Sequence, residues 1–264
     1  MTNFYMTLPS NSSMNYYPEN TVTKYKTHLA QPISLEGDWE VGLFEFEYHR
    51  TWYNVEEKDS KIKFDHMKDD KVVREKIQIP YGYYTSIEEL TDRINTSFIV
   101  FGVENGITQM PQLRVDKLTR KISIHLFNGM RIMFSPGLGN ILGYNEREDV
   151  INVYGIPDTV ITLHDTYNTD VNCQSLFVYC DILERVIVGD TKAPLLRSLS
   201  VSGKHGNIVR EIYDKPMYVP VQKKHFESVE IDIRSDFGEP VSFVNGKSSV
   251  TLHFRMSKNP YFLQ

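Results

Sequence analysis

The feature that most constrains this chain is an alternation of apolar and polar residues with a period of two, which recurs along the whole sequence. It is regular near the C-terminus, in residues 226–234 and 248–255. Successive side chains of a β-strand point to opposite faces, so this pattern predicts strands that bury one face. The two segments alternate in the same way, and the turn signals SDFGEP and NGK lie between them. We therefore expect them to be neighbouring antiparallel strands.

Other segments extend the β-rich pattern. Residues 21–29 alternate, and residues 61–79 and 113–126 each predict a hairpin. The near-continuous apolar run at 175–188 is typical of a strand buried on both faces. Many short strands and few helices favour an all-β fold, namely a single jelly-roll sandwich. Two consecutive β domains are the alternative.

Two helical patterns interrupt the strands. Residues 86–98 open with Ser86, and Glu89 follows three residues later, which is the spacing of a capping box. A shorter helix is predicted in SPGLGNILGY, ending at Gly143. Both flank the second hairpin, so we predict a small α+β insertion subdomain. The predicted organisation is therefore jelly roll (1–80), insertion (81–150) and jelly roll (151–264).

One predicted strand loses its phase partway along. Trp39, Val41 and Leu43 share one face, whereas Phe44 and Phe46 fall on the other. A β-bulge at Leu43–Phe44 would reset the phase. Alternatively, the second apolar face is buried by the insertion, by a neighbouring subunit or simply by a loop.

Composition and charge exclude several classes of protein. The chain has 264 residues and a formal net charge of −5, which argues against a dedicated DNA-binding protein. No apolar run reaches the ~20 residues that span a bilayer. The N-terminus lacks the basic and apolar regions of a secretory signal, so we expect no export by that route. Cys173 and Cys180 fall on opposite faces of the same predicted strand and are expected to stay reduced.

The sequence contains no catalytic or metal-binding motif that we recognise. His164 and Asp165 are adjacent, but neighbours on a strand point to opposite faces, which argues against a catalytic dyad. Cys180 lies in a run too apolar to leave a thiolate exposed. We therefore predict that the protein is not an enzyme and has no cofactor and no metal.

Four blocks of sequence carry a resemblance to a known family. They are residues 8–55, residues 81–95, the block LFVYCDILERVIVGDTKAPLLRSLSV and the block VEIDIRSDFGEPVSFVNGKSSVTLHFR. Together they resemble the minor capsid, or penton, proteins of Polinton/Maverick and adintovirus-like elements.

The resemblance implies a single-jelly-roll virion protein, made in the host cytoplasm or nucleus. Such proteins form homopentamers at the five-fold vertices of an icosahedral capsid, whose shell is built from a double-jelly-roll major capsid protein. Related pentons often carry an inserted, outward-projecting domain. Two other readings are a jelly-roll module that binds a glycan or receptor, through Trp52 or the loop 203–207, and an enzyme on a β-sandwich.

A ring of subunits needs anchors of large apolar area at its contacts. The sequence offers four candidates for this subunit interface in and just after the phase-slipped strand. They are Phe44, Phe46, Trp52 and Tyr53.

Overall fold

The computed structural model describes residues 3–127, 129–144, 159–170 and 173–257. The first part of the chain contains β1 (Asn3–Pro9), β2 (Lys24–Ser34), β3 (Trp39–His49), β4 (Lys61–Lys68), β5 (Lys71–Gln78), α1 (Ile87–Asn105), β6 (Gln112–Asp116), β7 (Lys121–Leu126), β8 (Arg131–Phe134), α2 (Pro136–Leu142) and β9 (Thr159–Thr162). The second part contains β10 (Ser175–Cys180), β11 (Val186–Val188), β12 (Thr191–Ala193), β13 (Leu195–Ser200), β14 (Ile208–Ile212), β15 (Tyr218–Pro220), β16 (His225–Ser235) and β17 (Ser248–Met256). A short 3₁₀ turn spans Glu57–Asp59.

The chain forms two compact units. The first contains residues 1–52 and 173–264, and the second contains residues 53–172. Within the described ranges, neither helix is long and apolar enough to cross a membrane.

The first unit is the predicted jelly roll. One sheet has the order β1-β17-β3-β14, with β15 also paired to β3, and the other has the order β13-β10-β16-β2. The short strands β11 and β12 form a separate ribbon. The predicted fold class, a β-sandwich carrying an α+β insertion, is confirmed.

The sandwich core is built from the inward side chains of both sheets. The stacked rings of Phe226 and Phe254, on β16 and β17, have centroids 6.3 Å apart. Tyr25 of β2 is 1% exposed, and its hydroxyl donates to the carbonyl of Leu8 on β1 over 3.1 Å. Burial raises the pKa of the Tyr25 phenol. This hydrogen bond satisfies a polar group in an otherwise apolar interior.

The predicted pairing of residues 226–234 with 248–255 is wrong. The first segment is β16 and the second is β17, and they belong to different sheets. Strand β16 lies between β10 and β2, whereas β17 lies between β1 and β3. Alternation shows that each strand buries one face, but it does not show which strand lies beside it.

The second unit has its own hydrophobic core. It holds two three-stranded sheets, β5-β4-β8 and β6-β7-β9. The two predicted hairpins are confirmed as β4–β5 and β6–β7. The first turns at Asp69 and Asp70, both with positive φ.

The predicted boundaries at residues 80 and 150 differ from the observed division. Strand β4, expected in the jelly roll, pairs with β8, and its buried Asp65 forms a forked ion pair with Arg74 of β5 at 2.8 and 3.0 Å. Asp59 accepts a hydrogen bond from the backbone N–H of Gly137, in the first turn of α2, over 3.0 Å. These contacts place the segment that begins at residue 53 in the second unit.

Helix α1 begins as predicted and ends later. The Ser86 hydroxyl accepts from the backbone N–H of Glu89 over 3.2 Å. The Glu89 carboxylate reaches back to Thr85, accepting from its N–H and its hydroxyl over 2.9 Å each, rather than to the N–H of Ser86. The helix continues to Asn105 and ends at Gly106, with φ of 68°. The predicted second helix is confirmed as α2, with Gly143 as its C-cap.

We predict that Ser86→Ala lowers the free energy of unfolding by ~0.5–2 kcal/mol, because it removes the acceptor at the start of α1. Urea denaturation of the full chain measures this change. Ser97→Ala is the matched control, since its hydroxyl only donates to the carbonyl of Arg93 within the helix. Equal stability of Ser86→Ala and the native protein would contradict the cap.

Candidate assembly surface

The phase slip in β3 is a β-bulge, one of the two main explanations that the sequence offered. Thr251 of β17 is paired with Glu45, and the next residue, Leu252, is paired with Leu43. Phe44 is therefore an extra residue on β3, with no residue of its own opposite on β17. The bulge lets β3 change phase without leaving the sheet.

Because of the bulge, β3 buries one face along its whole length. Trp39, Val41 and Leu43 point inward before the extra residue, and Phe46 and Tyr48 point inward after it. All five are at most 9% exposed. Phe44 is left on the outer face of the sheet and is half-buried there.

The outer face at this point carries a cluster of rings. Tyr5 of β1 lies 4.9 Å from Phe44, edge to face, and stacks on His253 of β17 at 4.5 Å. The Tyr218 hydroxyl of β15 lies 2.7 Å from His253 Nδ1. Tyr5 is 55% exposed. We call Tyr5, Phe44, Tyr218 and His253 the outer aromatic cluster.

Charged pairs border this cluster. Arg255 Nε donates to Glu40 Oε1 over 2.7 Å, and the Arg255 guanidinium lies 3.4 Å above the Tyr218 ring. Arg210 of β14 makes a forked pair with Glu45, at 2.8 and 3.0 Å. Aromatic residues and arginine, with charges at the periphery, form the composition enriched at protein–protein interfaces.

The environment of His253 disfavours its protonated form. Burial among the rings lowers the pKa of His253, and the positive charge of Arg255 lowers it further. The imidazole therefore stays neutral to a more acidic pH than an ordinary histidine.

The structure separates the four residues predicted at an interface. Phe46 is fully buried and Trp52 is 6% exposed, both within the core of the first unit. This part of the prediction is corrected: these side chains hold the chain's own core and offer no surface to a neighbour. Their rings pack on Tyr48, with centroids 5.0 and 6.0 Å away.

Phe44 and Tyr53 remain partly exposed, so their role at an interface stays a prediction. Tyr53 belongs to the second unit, where its ring lies 6.3 Å from Tyr81. Tyr5, Tyr218 and His253 were not among the residues that the sequence predicted at an interface. Tyr5 and His253 could have been found from the sequence, because each takes an outward position in a strand whose residues alternate.

The residues considered for catalysis do not form a site. His164 and Asp165 do contact each other, with Nδ1 and Oδ1 2.8 Å apart, because they lie in a turn rather than on a strand. Their side chains are 66% and 53% exposed. Burial raises the pKa of the Cys180 thiol to about 12. No cluster of three or more His, Cys, Asp or Glu side chains suited to a metal ion occurs in the ranges that the structure covers.

We predict that Phe46→Ala lowers the free energy of unfolding by ~3–5 kcal/mol, because it leaves a cavity among fully buried side chains. Phe44→Ala is its control on the same strand. It should cost clearly less, since the Phe44 ring is partly in solvent. Chemical denaturation of both variants measures the difference, and equal losses would contradict the assignment of their faces.

We predict that His253 contributes to acid sensitivity. Its folded-state pKa is lowered from 6.5, so the unfolded chain takes up more protons as the pH falls below about 6.5. This contribution to stability is present above that pH and is lost towards the lower, folded-state pKa. His253→Gln should flatten the loss in that window, as measured by thermal unfolding at successive pH values. Identical pH profiles would refute it.

The chain was compared with known protein families, curated proteins and solved structures, and only solved structures match it. No protein-family model matches the chain, and no curated protein matches it. Among solved structures, the crystal structure of the mavirus penton protein matches with a TM-score of 0.50 and 11% identity, over 97% of this chain and 99% of that one. A chain in the cryo-EM structure of the Sputnik virophage matches with a TM-score of 0.48 and 10% identity, over 97% and 98%. The chain therefore shares the fold of the mavirus penton protein.

Proposed function

We propose that this protein is a structural virion protein, specifically a penton subunit of a Polinton- or adintovirus-like capsid. The observation that carries the proposal is the similarity to the mavirus penton protein over 97% of this chain and 99% of that one. A likeness of this extent includes both the sandwich and the inserted unit. The proposed location is the capsid vertex, beside a double-jelly-roll major capsid protein.

The proposed assembly is a ring of five copies. A closed five-fold ring uses a heterologous contact, in which two different patches of the subunit meet. Such a contact should bury more than ~1,000 Å² in total. The outer aromatic cluster is our candidate for one patch, because its rings are large and stiff and charged pairs surround it. Tyr53 stays a candidate for a contact of the second unit.

The alternative of a glycan- or receptor-binding module depended partly on Trp52. That side chain is only 6% exposed, so it offers no stacking surface for a sugar ring. The enzyme alternative required a clustered catalytic site, and the His164–Asp165 pair in its exposed turn does not supply one. A structural role is the reading with the most support.

We predict that native protein elutes as a pentamer in size-exclusion chromatography with light scattering, and that Tyr5→Ser with Phe44→Ser yields folded monomers. Burying a side chain of this size contributes roughly 1.5–3 kcal/mol, so losing two anchors per contact should open the ring. Circular dichroism should be unchanged, because both rings lie on the outer face.

The matched control is Met14→Ser with Tyr16→Ser, which removes two side chains of the same unit that are 43% and 65% exposed. These changes should leave the ring intact if the aromatic cluster is specific. Native protein that stays monomeric at every accessible concentration would refute the penton assignment. A pentamer that survives the Tyr5 and Phe44 changes would refute only the choice of patch.

A further inference from the structure

The second unit contains a groove that the proposed capsid function does not use. It has a volume of about 650 Å³ and lies between the C-terminal half of α1 and strand β6. This is within the usual size of a ligand site, about 300–1,000 Å³. Its walls are mainly apolar, and the lining residues that matter below are Asn95, Ile99, Val103, Met110, Leu113 and Arg114.

Close packing of the loop after α1 forms the floor of the groove. A Cβ on Gly102 would lie 2.7 Å from Met110 Cγ and 2.8 Å from the Ile107 carbonyl oxygen, so only glycine permits this approach. The N–H of Ile107 also donates to the Gly102 carbonyl over 2.8 Å. The groove is therefore formed by a loop that packs tightly against the end of the helix, and it is not a gap between loosely packed segments.

The helix beside the groove exposes apolar side chains. Ile99, Val100 and Val103 are 59%, 50% and 79% exposed, although solvent-facing helix positions usually carry polar residues. The first turn of the same helix, in contrast, carries Glu88 and Glu89. An apolar area of this kind, confined to one half of a helix and continuous with a groove, is typical of an interaction site.

The strand edge at the groove is already occupied. The Asn95 side chain donates to the Leu113 carbonyl over 2.9 Å and accepts from the Leu113 N–H over 2.8 Å. An incoming strand cannot pair with Leu113 while this amide bridges it. A partner in the groove must therefore be recognised through its side chains.

The described lining of the groove carries positive charge without negative charge. Among the described residues that line it, Arg114 is the only charged one and there is no carboxylate. Arg114 makes no ion pair within the residues that the structure describes. An acidic group would complement this arginine while apolar groups fill the rest of the groove.

We infer that the groove between α1 and β6 is a docking site for a short segment of another protein, one that combines apolar side chains with an acidic side chain or a C-terminal carboxylate. Val100 is exposed but does not line the groove, so the apolar surface continues past the cavity. A chain-like partner covers both parts, whereas a small molecule fills only the cavity. This inference does not depend on the penton assignment.

The test is selection of random seven-residue peptides, displayed on phage, against the full-length protein. Enriched peptides are then synthesised, and their dissociation constants are measured by fluorescence anisotropy. We expect apolar sequences with an Asp, a Glu or a free C-terminus next to the apolar residues. Val103→Lys should weaken binding at least tenfold, and Arg114→Glu should shift the preference from acidic to basic peptides.

Val72→Lys is the matched control, because Val72 is also an exposed valine of this unit, on β5 and outside the groove. It should leave binding unchanged. Failure to enrich peptides, or binding that neither groove variant alters, would overturn the inference. Two further results would also overturn it: a change of subunit mass caused by Val103→Lys, which would indicate a second copy, and binding of dodecanoate without any peptide, which would indicate a small amphiphile.

Discussion

Strand β3 is the element on which the first unit depends, because β17, β14 and β15 are all hydrogen bonded to it. A strand in this position must keep one apolar face inward over its full length. The spacing of its apolar residues does not allow that in a regular strand, since the period changes between Leu43 and Phe46. The bulge at Phe44 resolves the conflict. Without it, Phe46 and Tyr48 would turn towards solvent and the core would lose two large, fully buried rings.

The same bulge shapes the outer surface. The extra residue has no place in the core, so its ring lies outside, against Tyr5. Pairing of β1 with β17 brings Tyr5 beside His253, and pairing of β15 with β3 brings Tyr218 within hydrogen-bonding distance of the same imidazole. One local irregularity thus completes the sandwich core and supplies one ring of the proposed contact surface.

The second unit is packed independently of the core of the first unit. Its two small sheets and two helices enclose a core of their own, and the chain enters it after Trp52 and leaves it before Cys173. Its candidate contact surface also differs in chemistry. The first unit presents rings bordered by ion pairs, whereas the second presents an apolar groove whose described lining includes the charged Arg114. The two surfaces therefore suit different partners.

The sequence by itself determined several of the elements: the two hairpins and the strands β2, β3, β16 and β17 from their alternation, α1 from Ser86 and Glu89, α2 from its Gly143 cap, and the existence of an irregularity near Phe44. These signals are local, because each reflects the backbone geometry of a few consecutive residues. The apolar run 175–188, predicted as one strand buried on both faces, is instead divided into β10 and β11, and β10 buries only alternate residues. Only the tertiary structure decided which strands are neighbours, where the inserted unit begins, and whether Phe46 faces the core or a partner. Those outcomes depend on contacts between residues far apart in the chain, which periodicity does not encode. That is why β16 and β17, with matching patterns, lie in opposite sheets of the sandwich.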